Sequence, residues 1–225
     1  MRMIGSALIG FALALAGSSY AREANRPYKQ LPDKEIDKKI RSLDVDAISE
    51  AGEGKRAASK AALEEVVGAQ DWTDADKKKY DNGNGKPNER LKEQVIAQRS
   101  FARHTARLAL AKLGDKKYLK EFADDLKSPN DMKVAGAISS LGSIKDRRAV
   151  KHLIPFLDKD VVPKFKPGKR GPAAFSELAE QALESILPEV REEFRKQNPG
   201  RRFYFKEEWK AWWAKNKDNY KEGLE

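Results

Sequence analysis

The chain predicts an all-α fold, a short α-solenoid of stacked antiparallel helix pairs closed by a Trp-rich C-terminal capping helix. Three observations lead there. Apolar residues recur at i, i+3, i+4 and i+7 in several segments. One such pattern repeats along the chain at a countable offset. The last periodic segment differs from the others by carrying three tryptophans. A helix pair with one apolar stripe cannot bury it alone, so copies must stack, and the terminal unit must differ from the internal ones.

The N-terminus reads as an address. Met1-Arg2 precedes an uncharged stretch to Ala21, whose apolar centre, Ile4 to Ala16, is short for a spanning helix of about 20 residues. Ser19 and Ala21 supply small residues before Arg22. A signal peptide over 1–21 is expected, cleaved to leave an exported chain, periplasmic or secreted, without a stable membrane span; the alternative is an uncleaved N-terminal anchor. The net charge is +10 and there is no Cys. That excludes disulfides, a thiolate nucleophile and cysteine-ligated zinc.

Residues 22–90 form an N-terminal helical region. Pro27 and Pro32 mark an extended leader to Lys34. Ile36, Ile40 and Leu43 then begin a helical stripe that continues into Ala47 to Ala51. A break at Gly52 and Gly54 separates it from a second Ala-rich helix through Val67. Residues 70–88, with Asp81-Asn82-Gly83-Asn84-Gly85 and Pro87, read as a mobile loop. Its acids fit no EF-hand register. Thr73 capping a short helix, with Asp76 as its third residue, accounts for them better.

Residues 91–190 carry the repeat. Ala106, Ala109, Leu110 and Leu113 with Gly114 recur 28 residues on as Val134, Ala137, Ile138 and Leu141 with Gly142. Leu119, Phe122, Ala123 and Leu126 recur at an offset of 31 as Val150, Leu153, Ile154 and Leu157. A third copy, Ala179, Ala182, Leu183 and Ile186, follows at 45, which leaves a basic insert at 158–173. Gly114 and Gly142 are expected to close their helices as left-handed caps. Ser128 is expected to cap the middle unit's first helix and Asp146 its second.

Val134-Ala-Gly-Ala-Ile-Ser-Ser-Leu-Gly142, followed by Arg148-Ala-Val-Lys-His-Leu-Ile-Pro-Phe-Leu157, resembles a HEAT-like repeat of the short bacterial kind. The resemblance covers that unit, its neighbour at 102–126 and the first helix of 174–188. It implies an α-solenoid that binds other macromolecules and has no universal active site. The spacings of 28 and 31 depart from the usual period of about 40. HEAT-like-repeat DNA glycosylases are similar in size and basicity, but an exported chain does not meet genomic DNA.

Residues 191–225 read as the cap. Trp209, Trp212 and Trp213 stand at i, i+3 and i+4, on one side of a helix, and are expected to pack as core, with a stacking platform for sugars or bases as the rival reading. No nucleophile elbow, phosphate loop or dinucleotide fingerprint occurs. The two histidines, His104 and His152, have no ligand spacing. Asp124-Asp125 and Glu192-Glu193 are neighbours whose side chains diverge on a helix. The sequence therefore predicts no catalytic residue, metal site or cofactor, and a non-enzymatic protein.

Charge is the more informative pattern. Lys86 to Lys120 holds ten basic and three acidic residues, and Lys145 to Arg170 nine and three. Arg99, Arg103 and Arg107 form a ridge at i, i+4 and i+8. Lys164, Lys166, Lys169 and Arg170 crowd the insert. These seven are the candidate partner-binding residues. The expected function is a protein-binding scaffold or adaptor of the cell envelope. The alternative is binding of an anionic polymer, whether nucleic acid, acidic glycan or lipid headgroup.

Overall fold

A computed structural model describes residues 28–81, 88–166, 169–170, 173–201 and 205–220. The expected signal peptide at 1–21 and the leader to residue 27 lie outside the described residues. Among the described residues the protein is all-α apart from one short antiparallel pair of strands, and its helices pack in pairs. It divides into two compact units, up to Gly114 and from Asp115, so the division falls inside the stretch read as one repeat region.

In the N-terminal unit, α1 (Asp33–Arg41), α2 (Val45–Glu53) and α3 (Lys60–Gly68) precede the short α4 (Asp74–Lys79) and the long α5 (Glu89–Lys112). The expected two Ala-rich helices are three. Ile36 and Ile40 are fully buried on α1, but Leu43 is not part of their stripe. Leu43 adopts φ 63° in the turn, and Asp44 N–H closes the helix on the Lys39 carbonyl at 3.0 Å. The Asp44 carboxylate then caps α2 by accepting from the amides of Asp46 and Ala47, so a left-handed residue and an Asp cap reverse the chain in two residues.

The end of the leader is also more ordered than expected. Helix α1 starts at Asp33, and the Arg56 guanidinium donates to the carbonyls of Leu31 (2.8 Å) and Lys29 (2.7 Å) and to the Asp33 carboxylate (2.8 Å). Helices α2 and α3 both pack on α5. Gly52 is no helix break: it lies inside α2, and a methyl there would meet the Ala109 Cα at 2.7 Å.

The C-terminal unit contains α6 (Lys116–Asp125), α7 (Asp131–Ile144), α8 (Val150–Leu153), α9 (Phe175–Ile186), α10 (Pro188–Gln197) and α11 (Lys206–Asn216). Helix α7 packs against α6 and α9. The expected stripes face inward: Leu119, Ile138, Leu141, Ala179 and Leu183 are all at most 1% exposed. Gly114 is the left-handed residue after α5, at φ 91°, as its position predicts. Gly142 is not. Helix α7 runs two residues past it, Lys145 takes the left-handed conformation at φ 61°, and a methyl on Gly142 would sit 2.8 Å from the Ala182 Cα of α9. The missing side chain is what lets the two backbones approach.

Two further expectations shift. Asn130, rather than Ser128, caps α7, accepting from the amides of Met132 and Lys133. The middle unit's second helix is only four α-helical residues before Ile154–Asp158 tightens to a 3-10 turn, because Pro155 supplies no amide hydrogen. Val150, Leu153 and Leu157 stay buried, while Ile154 is half-exposed.

The insert leaves and returns at one place. At the start of α9, which has no side-chain cap, Phe175 N–H donates to the Val161 carbonyl (3.0 Å) and Ser176 N–H to that of Lys159 (3.1 Å). Beyond this stem, β1 (Lys164–Lys166) pairs antiparallel with β2 (Lys169–Arg170), where a loop was expected.

Candidate functional site

The Arg ridge on α5 is turned to the protein's own use. Asp76 closes the capping box of α4 with Thr73, so its carboxylate is fixed and only 7% of the residue is exposed. Arg99 grips that carboxylate with both terminal nitrogens, at 2.6 and 3.0 Å, and donates to the carbonyls of Gln70 and Asp71. Arg103 pairs with the Asp71 carboxylate and donates to the Ala69 carbonyl. Arg107 is half-buried in the same helix. Arg99 and Arg103 thus tie residues 69–76, nearly all within the loop expected to be mobile at 70–88, onto α5. Residues 82–87 of that expected loop lie outside the described residues.

Burial alone would raise the Asp76 pKa, but the hydrogen bonds from Thr73 and Arg99 outweigh it and hold the carboxyl at about 2. Because that value lies below the unfolded one, ionised Asp76 stabilises the fold above about pH 4, and the contribution fades as pH falls from there towards 2. Asp76→Asn should therefore lower the melting temperature at neutral pH by the equivalent of about 2 kcal/mol. The gap between variant and parent should close in acid. A gap that persists unchanged to pH 2 would contradict the ion pair.

Of the insert cations, the side chains of Lys164, Lys166, Lys169 and Arg170 lie outside the described residues. The roots of the insert are described. Asp158 and Asp160 receive Lys210 and Lys206 of α11 at 3.0 Å each. Between stem and ribbon, Val161 is 58% and Val162 39% exposed, two large apolar side chains in water at the foot of a strand.

At the C-terminal end, the Glu180 carboxylate of α9 accepts the Phe205 amide and so fixes the start of α11. Phe205 and Trp209 are fully buried, and Trp209 meets Phe194 edge-on at 5.0 Å between ring centres. Trp212 and Trp213 are half-exposed instead of sharing the core, and both turn to Tyr220 at 5.6 and 5.7 Å.

This leaves a cleft of about 450 Å³ lined by Trp212, Asn216, Asn219 and Tyr220 on one side and by Arg147, Arg148 and Glu189 on the other. Arg147 pairs with Glu189, and Arg148 with Asp146 at 2.6 Å. Burial pushes the Tyr220 phenol up, against the pull of Arg147, so it stays a neutral donor. The sequence offered the tryptophans only as a rival stacking platform and gave no sign of Arg147, Arg148 or Glu189 opposite them; Trp212 and Asn216 lie one turn apart on α11, and Asn219 and Tyr220 follow in the 3-10 turn Lys217–Tyr220.

The remaining candidates diverge. Asp124 binds Lys127 and Asp125 binds Lys133, both at 2.8 Å, so the neighbouring carboxylates do serve separate partners. His152 is half-buried and its pKa is lowered by burial first and by Lys151 and Lys127 next. Trp72 lies beside Tyr80 at 5.9 Å, half-buried. Among the described residues no three His, Asp or Glu side chains converge as a metal site would require, and no helix is long and apolar enough to cross a membrane. Comparison of the chain with known protein families, curated proteins and solved structures finds no match.

Proposed function

We propose that the chain is an exported, non-enzymatic scaffold, a short HEAT-like α-solenoid that docks another protein of the cell envelope through the insert between α8 and α9. The observation that supports this most is the stem of that insert. Its two ends are pinned by backbone hydrogen bonds to the start of α9, while Val161 and Val162 stand exposed beside a two-stranded ribbon. A fixed stem lowers the ordering cost of binding, and an exposed apolar pair gives a partner area to bury. The rival reading, an anionic polymer, loses support where Arg99 and Arg103 are engaged within the N-terminal unit, and keeps the four insert cations.

Cross-linking and affinity capture from the exported fraction test the two together. The mature chain should begin at Arg22 and hold a protein partner through a high-salt wash. Val161→Ser with Val162→Ser should release that partner without altering the melting temperature by more than about 0.5 kcal/mol equivalent. Recovery of intact Met1 from the cytoplasm would defeat the export proposal. Binding that vanishes with salt, and with Lys164, Lys166, Lys169 and Arg170 all changed to Gln, would favour the polymer instead.

A further inference from the structure

We propose that the cleft at the C-terminal end is a saccharide site that seats a pyranose ring of a neutral oligosaccharide against Trp212 and Tyr220. A pyranose offers two chemistries at once, an apolar C–H face and a rim of hydroxyls that both donate and accept. The cleft offers the complement of each. Trp212 and Tyr220, 5.6 Å apart and inclined at 67°, supply ring surface that the core has left half-exposed. The Asn216 amide nitrogen is engaged with the Trp212 carbonyl at 2.8 Å, which leaves its oxygen as an oriented acceptor. Asn219, exposed in the 3-10 turn Lys217–Tyr220 that follows α11, brings both a donor and an acceptor. Arg147 donates only and Glu189 accepts only, so their side-by-side pairing can meet two adjacent hydroxyls without either charge being stripped of a partner.

Charge decides the ligand class. The two arginines of the cleft are already paired, Arg147 with Glu189 of the lining and Arg148 with Asp146 outside it, and an incoming phosphate or carboxylate would have to sit beside Glu189 and compete with both carboxylates for the guanidinium groups. A polyhydroxylic neutral ligand meets no such repulsion. The volume of about 450 Å³ lies within the range of small-ligand sites. The Arg147–Glu189 pair, with side chains 64% and 54% exposed, stays rigid only weakly by itself and can reorient to hydroxyls at little cost.

Isothermal titration of the mature chain with cellotetraose, maltotetraose and chitotetraose, with polygalacturonate and inorganic phosphate as anionic probes, tests the site. At least one neutral tetrasaccharide should bind with a Kd on the order of 1 mM or below, insensitive to salt. Asn219→Ala and Arg147→Ala, both at exposed positions, should each weaken binding about tenfold while the melting temperature stays put. Trp212→Ala should abolish it. Failure of every neutral tetrasaccharide to bind, or parental affinity in both the Asn219 and Arg147 variants, overturns the proposal. Binding of polygalacturonate or phosphate alone, falling with salt, would make the cleft an anion site and overturn it equally. None of these substitutions touches the insert, so the outcome is independent of the docking surface proposed above.

Discussion

Trp209→Ala should cost the C-terminal unit about 3–5 kcal/mol, the range for emptying a buried large aromatic position. The indole is fully buried, edge-on to Phe194 at 5.0 Å and to Trp212 at 5.9 Å, and Phe205 beside it is fully buried as well. Removing the ring leaves Phe194 and Phe205 facing a void that a helix fixed at its first turn by Glu180 cannot easily fill. The expected readout is a fall in melting temperature of more than about 10 °C with loss of near-ultraviolet dichroism. Trp213→Ala removes a half-exposed ring that meets Tyr220 at 5.7 Å, and should cost about 1–2 kcal/mol. Equal losses in the two variants would mean that the aromatic cluster is not organised around Trp209.

The apolar helix stripes were legible because burial and helical period are the same statement made twice. Val134, Ala137, Ile138 and Leu141 fall on one stripe whatever partner covers them, and all are buried. The Asp146 cap was legible too, since it needs only the amide of Arg148 two residues on. Glycine was misread because its absence of a side chain serves two ends that look alike in sequence. Gly114 gives the chain a left-handed turn, whereas Gly52 and Gly142 give room to Ala109 and Ala182, residues distant in sequence. Other left-handed positions fell to Leu43, Lys55 and Lys145, which no propensity argument would select.

The same limit governed the candidate sites. A ridge of Arg99, Arg103 and Arg107 is plain in the sequence, but its use depends on what lies opposite. Asp71 and Asp76 lie opposite, brought there by the capping of α4. Charge counting sees cations and cannot see their pairing across 23 or 32 residues. The cleft was hidden for the reverse reason: Arg147 and Glu189, 42 residues apart, meet beside a helix face that reads in sequence as core. Trp209 takes the core position, which leaves Trp212 half in water.

Leu141→Asp should be the more severe of two charge-introducing changes at the end of α7. Leu141 is fully buried on the face that α7 turns to its neighbours, one residue before the glycine that touches Ala182. A carboxylate there would be ionised without a cation in a tightly packed contact, or would stay protonated with its pKa forced upward. Either way the cost exceeds about 4 kcal/mol, enough to unfold the unit at moderate temperature. Lys145→Asp, four residues on, places the same charge at an exposed position with φ 61°, a conformation aspartate adopts more readily than most residues. It should change stability by less than about 0.5 kcal/mol. Leu141→Ala separates packing from charge: it removes the side chain without adding a carboxylate and should fall between them, at about 2–5 kcal/mol. Thermal unfolding of the three variants in parallel reads the order directly. If Leu141→Asp melts with Lys145→Asp, the stripe Val134, Ala137, Ile138 and Leu141 does not face the α7–α9 contact, and the repeat register built on it fails.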